Sequence, residues 1–497
     1  MDGDNRLTQI NYSVAGLITR GYDDLNRLTS ETTPQGSVTY GYDKASRRTR
    51  MTVGVEPDVI YTYDDANRLT QITQSGATVT IGYDNADRRT IFTLPNGVLV
   101  EYGYDNASRV TGITYKLGET TLGNLTYEYD KAGNRTKVGG TFARTGLPPV
   151  LTSAIYDAAN RLTQWDTTTL TYDNNRNLTN DGTNSYNWNA RNQLASMTGA
   201  SFVYDGLGRR QKKTIGASNT EFLYDGVNPV QETSGVTVLA NILTGLGIDE
   251  YFTRTDVPAA ATSHFLPDAL GSSIALSDAG GTVQTEYTYE PFGKTTLTGA
   301  SNTNPYQYTG RENDGTGLYY YRARYYHPQF QRFVAEDPLN FANVQVITQS
   351  NAELSFMLPL LQQFPELLNS YQYVGDNPLE YTDPYGLFSF GRAFDGLSPL
   401  LGPLGDIAGN VFDTSGDFGY YGGAIGSAIG GVLGSGFGPG GAIAGGVAGG
   451  ILGGILGGLL DPPCAGQLNC GEPSPPQGGR KDKPKPKPKP DSNAGWY

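Results

Sequence analysis

The pair Tyr-Asp recurs at Tyr22, Tyr42, Tyr63, Tyr83, Tyr104, Tyr129, Tyr156, Tyr172, Tyr204 and Tyr224, and the first four intervals are 20, 21, 20 and 21 residues. A fixed period of this kind means that one supersecondary unit is stacked on copies of itself, because a single unit cannot bury its own apolar face. Most copies read Y-D-x-x-(N/G/S/D)-R-(L/R/V), as from Tyr22 to Leu28, Tyr63 to Leu69, Tyr104 to Val110, Tyr156 to Leu162 and Tyr204 to Arg210. An aspartate opening a turn accepts bonds from the amides that follow it. Asn26, Asn67, Asn160 or Gly208, four residues after the tyrosine, tolerates the left-handed conformation that a three-residue bulged hairpin loop demands. The flanking segments SVTYGYD and ATVTIGYD alternate apolar and polar residues, which predicts strands with one packed and one solvated face. Residues 2–8 (DGDNRLT) read as a repeat lacking its tyrosine, which predicts a fold that starts upstream or begins with an unpaired edge.

Composition agrees with this reading and excludes others. Tyr, Thr and Val punctuated by Asn, Asp and Gly is the vocabulary of short strands and tight turns, and 66 Gly and 34 Tyr in 497 residues is not the profile of an ordinary enzyme. The repeated tyrosines read as a ladder packed between neighbouring strands rather than as a stacking platform for sugars or bases. The pairs Asp23/Arg27, Asp64/Arg68 and Asp157/Arg161 read as turn-stabilising contacts. A net charge of 36 − 49 = −13 excludes an extended nucleic-acid surface, which needs clustered Lys and Arg. His264 and His327 are the only histidines, and Cys464 and Cys470 lie beyond the repeats. A four-ligand metal site is thereby disfavoured, and no cofactor is expected. The two cysteines could close a small disulfide loop, or could stand reduced. No phosphate loop and no Ser-His-Asp set is visible. Asp2, Asp4 and Asn5 stand where a signal peptide needs an apolar run, so export by another route, or a longer parent, is expected.

A second group of motifs follows the repeats. The segment HFLPDALGSSIALSDAGGTVQTEYTYEPFG (264–293) precedes YTGRENDGTGLYYYRARYY, RFVAEDP and YQYVGDNPLEYTDPYGL, the last ending at Leu387. The ordered combination of H-x-x-x-D-x-L-G-S, Y-x-P-F-G, Y-Y-x-A-R-Y-Y and D-P-x-G-L, together with the Tyr-Asp repeats, resembles the Rhs/YD-repeat family with its Rhs-associated core, over residues 1–387. The resemblance implies an all-β fold: a YD-repeat hairpin ribbon spiralling into a partial shell, closed by an Rhs core plug and followed by a Gly-rich variable segment. It is the architecture of bacterial Rhs toxins, of the B and C components of insecticidal toxin complexes, and of animal teneurins. The expected partition is YD repeats at 1–235, pre-core strands at 236–304, the core at 305–387, a variable region at 388–462 and a Pro/Lys-rich solvated tail at 463–497.

The chain departs from the family pattern in three places. His327-Pro328 stands where Asp-Pro is usual, Asn340 stands where Gly is usual, and about thirty residues intervene before YQYVGDNP. Pro359 and Pro365 interrupt the apolar part of that insertion, so short helical turns are expected there. The family further implies self-cleavage just after D-P-x-G-L by paired aspartates, here Asp337 and Asp383, at the bond between Leu387 and Phe388. Two carboxylates in one enclosed site cannot both ionise cheaply, so one stays protonated as an acid while the other activates water.

Residues 418–460 carry no charge, and 441–460 (GAIAGGVAGGILGGILGGLL) has Gly at spacings of three and four. Two readings stand: a membrane-contacting helix with a small-residue stripe, or a compact glycine-rich hairpin. Two functions stand as well. One is a secreted or surface-exposed toxin shell carrying residues 388–497 as cargo, with an upstream or partner shell portion and an immunity protein as its partners. The other is a cell-surface adhesion protein that releases nothing.

Overall fold

The computed structural model describes residues 1–4, 6–338 and 369–387. Asn340, the inserted prolines, Phe388, residues 441–460 and both cysteines lie outside the described residues. Among the described residues regular structure is strand, apart from the 3-10 turns Tyr308–Gly310 and Val374–Asp376. Thirteen strands, from Gln9–Tyr12 to Arg135–Gly139, form one antiparallel sheet in strict chain order. Twelve more, from Tyr186–Trp188 to Thr295–Gly299, form a second in the same manner, and two small sheets lie between 154 and 180. Neighbour pairs with neighbour throughout, as a ribbon of stacked hairpins requires.

The turn after Tyr63 shows why the period holds. The ladder shifts register by a bulge at Tyr63. Asp64 Oδ1 then accepts from the amides of Ala66 and Arg68 at 3.0 and 2.9 Å, Asp64 Oδ2 accepts from Arg68 Nε at 2.8 Å, and Asn67 sits at φ 66°. The arginine also reaches the next unit: its Nη1 donates to the Asp84 carbonyl at 3.1 Å, and its guanidinium lies 5.0 Å from the Tyr83 ring centre. Tyr83 in turn donates its hydroxyl proton to the Leu69 carbonyl at 2.9 Å. The Tyr, Asp, Asn and Arg side chains of the motif therefore bond their own turn or an adjacent one, which fixes the spacing. Asp2 and Arg6 build the same turn at the chain's start, with Arg6 Nε donating to Asp2 Oδ2 at 2.7 Å and Arg6 lying over Tyr22.

Alternation along the strands places Val38, Tyr40, Val59, Tyr61, Val79 and Ile81 in a core that also takes in Leu223, Val230, Leu243, Phe252 and Leu266 of the second long sheet. The two sheets thus share one apolar interior, pinned by Arg48 on Asp225 and by Arg89 on Glu250 at 2.5 Å. Burial of each such aliphatic or aromatic side chain contributes about 1.5–3 kcal/mol.

Residues 305–338 with 369–387 carry a separate four-stranded sheet, built on Glu312–Asn313, Tyr319–Tyr321, Arg324–His327 and Arg332–Phe333. Its heart is aromatic: Tyr308, Tyr319, Tyr321, Tyr326, Phe333 and Tyr373 are buried against one another, Tyr321 meeting Phe333 edge-on at 5.9 Å and Tyr373 at 5.4 Å. The buried hydroxyls find partners, Tyr321 with Thr309 at 2.8 Å, Tyr326 on the Phe292 carbonyl at 2.9 Å and Tyr371 on the Arg176 carbonyl at 2.6 Å. This is why tyrosine and not phenylalanine dominates here: each ring supplies packing and each hydroxyl satisfies a polar contact. Arg210 of the second long sheet, fully buried, is met by Asp314 and lies 4.2 Å from the Tyr320 ring centre, which seats the unit on the wall.

Candidate functional site

The hairpin Tyr319–Tyr321 to Arg324–His327 turns through Arg322 and Ala323, with Tyr321 paired to Arg324. A buried arginine in such a strand needs carboxylates around it, since an unpaired guanidinium in an apolar interior is prohibitively costly. Arg324 Nη2 lies 3.0 Å from Asp337 Oδ2 and 3.5 Å from Asp383 Oδ2. The structure therefore brings both expected aspartates together on one guanidinium. Arg324 is held in turn by the Phe333 ring, 3.6 Å away, and by donating from Nη1 to the Ser370 carbonyl at 2.8 Å.

The insertion after Asp337 does not separate the pair. The chain returns at Ser370, whose carbonyl accepts from the Asp337 amide at 3.0 Å, and the Phe333 amide donates to the Tyr371 carbonyl at 2.9 Å. The ladder thus closes around the insertion.

Asp383 opens the turn that carries D-P-Y-G-L. Its Oδ1 accepts from the Leu387 amide at 3.0 Å, the same side-chain-to-backbone closure seen in the repeat turns. Gly386 is at φ 64°, and a Cβ there would lie 2.0 Å from the Tyr321 carbonyl oxygen, so glycine is required on both counts. Leu387 is buried at the end of the turn. Three consecutive carbonyls of this turn are bound by three consecutive residues of the hairpin tip. Pro384 accepts from Arg322 Nη1, Tyr385 from the Ala323 amide at 3.0 Å, and Gly386 from Arg324 Nε at 2.5 Å.

Burial pushes the Asp383 carboxyl up to about 7; the Arg324 guanidinium opposes this, and the neighbouring Asp337 carboxylate adds to it. A carboxyl that titrates near neutrality beside a second carboxylate is the arrangement acid and base catalysis by two aspartates needs. His327, standing where aspartate was expected, accepts from the Phe330 amide through Nδ1 at 3.3 Å and so caps the turn that follows it. It is stacked on Phe330 at 3.8 Å, and burial pushes it down to about 4, so it is a neutral structural histidine. His264 is buried in a strand of the second long sheet, paired opposite Ser277.

Sequence reasoning placed Asp337, Asp383 and Leu387 and missed Arg322 and Arg324. Their signal was available: two arginines on alternate positions of Y-Y-Y-R-A-R-Y-Y, in a segment otherwise fit for burial, require acidic partners. Asp249, which meets both Arg322 and Arg311, carried no comparable signal.

Comparison with known proteins agrees with this architecture. Residues 96–379 match the Teneurin YD-shell family, and residues 2–38 and 22–54 match the RHS Repeat. The tRNA3(Ser)-specific nuclease WapA of Bacillus spizizenii is 30% identical over 275 residues, 53% of this chain and 11% of that protein. Toxin subunit YenC2 of Yersinia entomophaga is 31% identical over 139 residues, 27% of this chain and 11% of that protein. The chain thus spans about a tenth of the length of these relatives. The crystal structure of TcdB2-TccC3-Cdc42 superposes with a TM-score of 0.55 at 20% identity, covering 77% of this chain and 24% of that one, which shows a shared fold. With more than half of its residues matched, a ribbon of Tyr-Asp hairpins and a tyrosine-rich unit seated on it, the chain belongs to the Teneurin YD-shell family and carries RHS repeats at its start.

Proposed function

We propose that this chain is the closing part of a toxin-associated YD-repeat shell, and that its plug cuts its own backbone between Leu387 and Phe388 to free residues 388–497 from the shell. The observation that carries the reading is the convergence of Asp337 and Asp383 on Arg324, with the turn 383–387 bound beneath them. In the reaction Asp337, paired with Arg324 at 3.0 Å, takes a proton from a water whose oxygen bonds to the Leu387 carbonyl carbon. Protonated Asp383 gives its proton to the Phe388 nitrogen as the Leu387–Phe388 bond breaks. Because the substrate is tethered, its effective concentration replaces a refined binding site.

Relatives named for a tRNA nuclease and for a double-stranded DNA deaminase toxin each match about half of the chain, at 53% and 47%, so a shared carrier accompanies more than one activity. That supports residues 388–497 as a variable cargo outside or at the surface of the producing cell. Residues 441–460 would be its membrane-contacting part and an immunity protein its partner inside the producer.

The test is the intact mass of the purified full chain. Two fragments meeting at 387 and 388 are expected, to an extent independent of protein concentration. Asp337→Asn and Asp383→Asn should each leave one intact chain with unchanged circular dichroism. The rate should fall as pH rises above about 7, where Asp383 loses its proton. A wild-type chain still whole after prolonged incubation at pH 5 and at pH 7 overturns the reading.

A further inference from the structure

We propose that Arg322 is a positioning residue that makes presentation of the Leu387–Phe388 bond depend on seating of the plug against the wall. The proposal rests on the self-cleavage reading and adds its regulation: the cut waits for Arg322 to find Asp249.

The backbone points to it first. Arg322 is at φ 58° in a two-residue hairpin connection, a conformation for which glycine, asparagine or aspartate is the natural choice. A long side chain held in that region persists only where its surroundings over-determine it. They do so here. Arg322 grips Asp249 with both ends of its fork, Nη2 to Oδ1 at 2.7 Å and Nη1 to Oδ2 at 3.0 Å, and the same Nη1 donates to the Pro384 carbonyl. One side chain thus spans the wall and the cleavage turn, and a planar fork is suited to that in a way an ammonium is not.

Asp249 is itself fixed by several parts of the wall. Its amide donates to Asn228 Oδ1 at 3.0 Å, while the next residue, Glu250, accepts from Arg89 of the first long sheet at 2.5 Å. Its position therefore registers that both long sheets have come together. Arg311 of the plug lies 2.5 Å from Asp249 Oδ1, so Asp249 stays paired when Arg322 is removed and no uncompensated charge is left behind. Arg322 and Ala323 then act as a clamp: with Arg324 they hold the carbonyls of residues 384 to 386, and Arg322 is the member of the three that reaches the wall.

The experiment uses the full chain and two readouts. In the first, self-cleavage is followed by intact mass. Arg322→Gly relieves the backbone and should keep or raise the melting temperature while slowing cleavage about tenfold or more, one decade being about 1.4 kcal/mol of activation free energy. Arg322→Lys should be intermediate. Asp249→Asn should slow cleavage too, and the double variant Arg322→Gly/Asp249→Asn should be slowed by less than the two single effects combined, since both break the Arg322–Asp249 pair. In the second readout, the non-cleaving Asp337→Asn chain is compared with and without Arg322→Gly. Hydrogen exchange should quicken at the amides of 385–387 and stay unchanged along Tyr319–Tyr321.

Wild-type cleavage with an unchanged rate in Arg322→Gly, or unchanged exchange at 385–387, overturns the positioning role and leaves self-cleavage standing. An intact wild-type chain whose 385–387 exchange still quickens in Arg322→Gly removes self-cleavage and leaves the clamp.

Discussion

At the wall's turns Asp64 and Arg68 stand four residues apart and remain at the water's edge, while between the wall and the plug Arg210 and Asp314 are separated by 104 residues and are entirely buried. The side-chain chemistry is the same and the consequences are opposite. In the turns the carboxylate mainly organises backbone amides, and its attraction to the arginine is shared with solvent, so each turn adds little and the wall gains by repetition. In the plug the charges have left water, and each holds its partner in a place that no solvent can substitute. Turns of the first kind set a spacing; contacts of the second kind set a docking position. The proposed cleavage site belongs to the second kind, because Arg324, Asp337 and Asp383 meet only when the plug is folded.

The sharpest break of this comparison is Asp314→Ala. Asp314 accepts from Arg210 Nη2 at 3.1 Å and from Lys213 Nζ at 2.8 Å, and its loss strands two cations in the interior. A destabilisation of about 3–5 kcal/mol is expected, read from denaturant unfolding midpoints. The charges around it hold the Asp314 carboxyl below its ordinary 3.8 despite burial. A depressed carboxylate contributes stability that is present above its unfolded value and lost as pH falls through the folded one. The gap between wild type and variant should therefore be level at neutral pH and close below about pH 4. A gap that did not narrow at all as pH falls below about 4 would mean that the buried charge is not what Asp314 contributes.

How much of this was open to a reader of the sequence follows from the range of each interaction. The repeat turns were legible residue by residue because Asp64, Asn67 and Arg68 satisfy one another within five positions, and the bulge and the left-handed residue fall where the motif placed them. The aspartates of the site were legible through Asp-Pro motifs that resemble a family pattern. Their common partner was not: Arg324 binds the turn 62 residues away at Gly386, and Arg322 binds Asp249 at a separation of 73, distances at which no local rule applies. The insertion after Asp337 looked disruptive in sequence because length alone was visible. In the fold, Ser370 and Tyr371 pair back onto Asp337 and Phe333, so the described residues on either side of it meet directly.

A middle-sized effect is expected within the wall. Asn67 at φ 66° and Gly208 at φ 85° occupy the left-handed position of two different turns. Valine at either should cost about 1–2 kcal/mol, because a β-branched side chain resists that region. Asn67→Gly keeps the backbone permitted and loses the bond accepted from Arg47 Nη1 at 2.9 Å, so it should sit between wild type and Asn67→Val in a thermal melt. Equal melting of all three would show that the repeat turn is held by its neighbours and not by its own residue.

The smallest effect is the most discriminating, since it places one substitution in two copies of one turn. Arg68 and Arg209 occupy equivalent positions, each on the aspartate four residues before it, but Arg209 is buried and also meets Glu31, which is shared with Arg20 at 2.8 Å. Burial raises the cost of each charge there, and yet Glu31 is held below its ordinary value by Arg209 and Arg20 against that burial. Lysine keeps the charge and loses the fork that serves two acceptors at once. Arg209→Lys should therefore lower the melting temperature measurably and to the same extent at low salt and at about 0.5 M salt, because buried pairs are poorly screened. Arg68→Lys should differ from wild type only at low salt, and there only slightly. Equal shifts from the two substitutions would mean that the turn motif carries its stability irrespective of burial, and burial alone would then not separate the two kinds of contact.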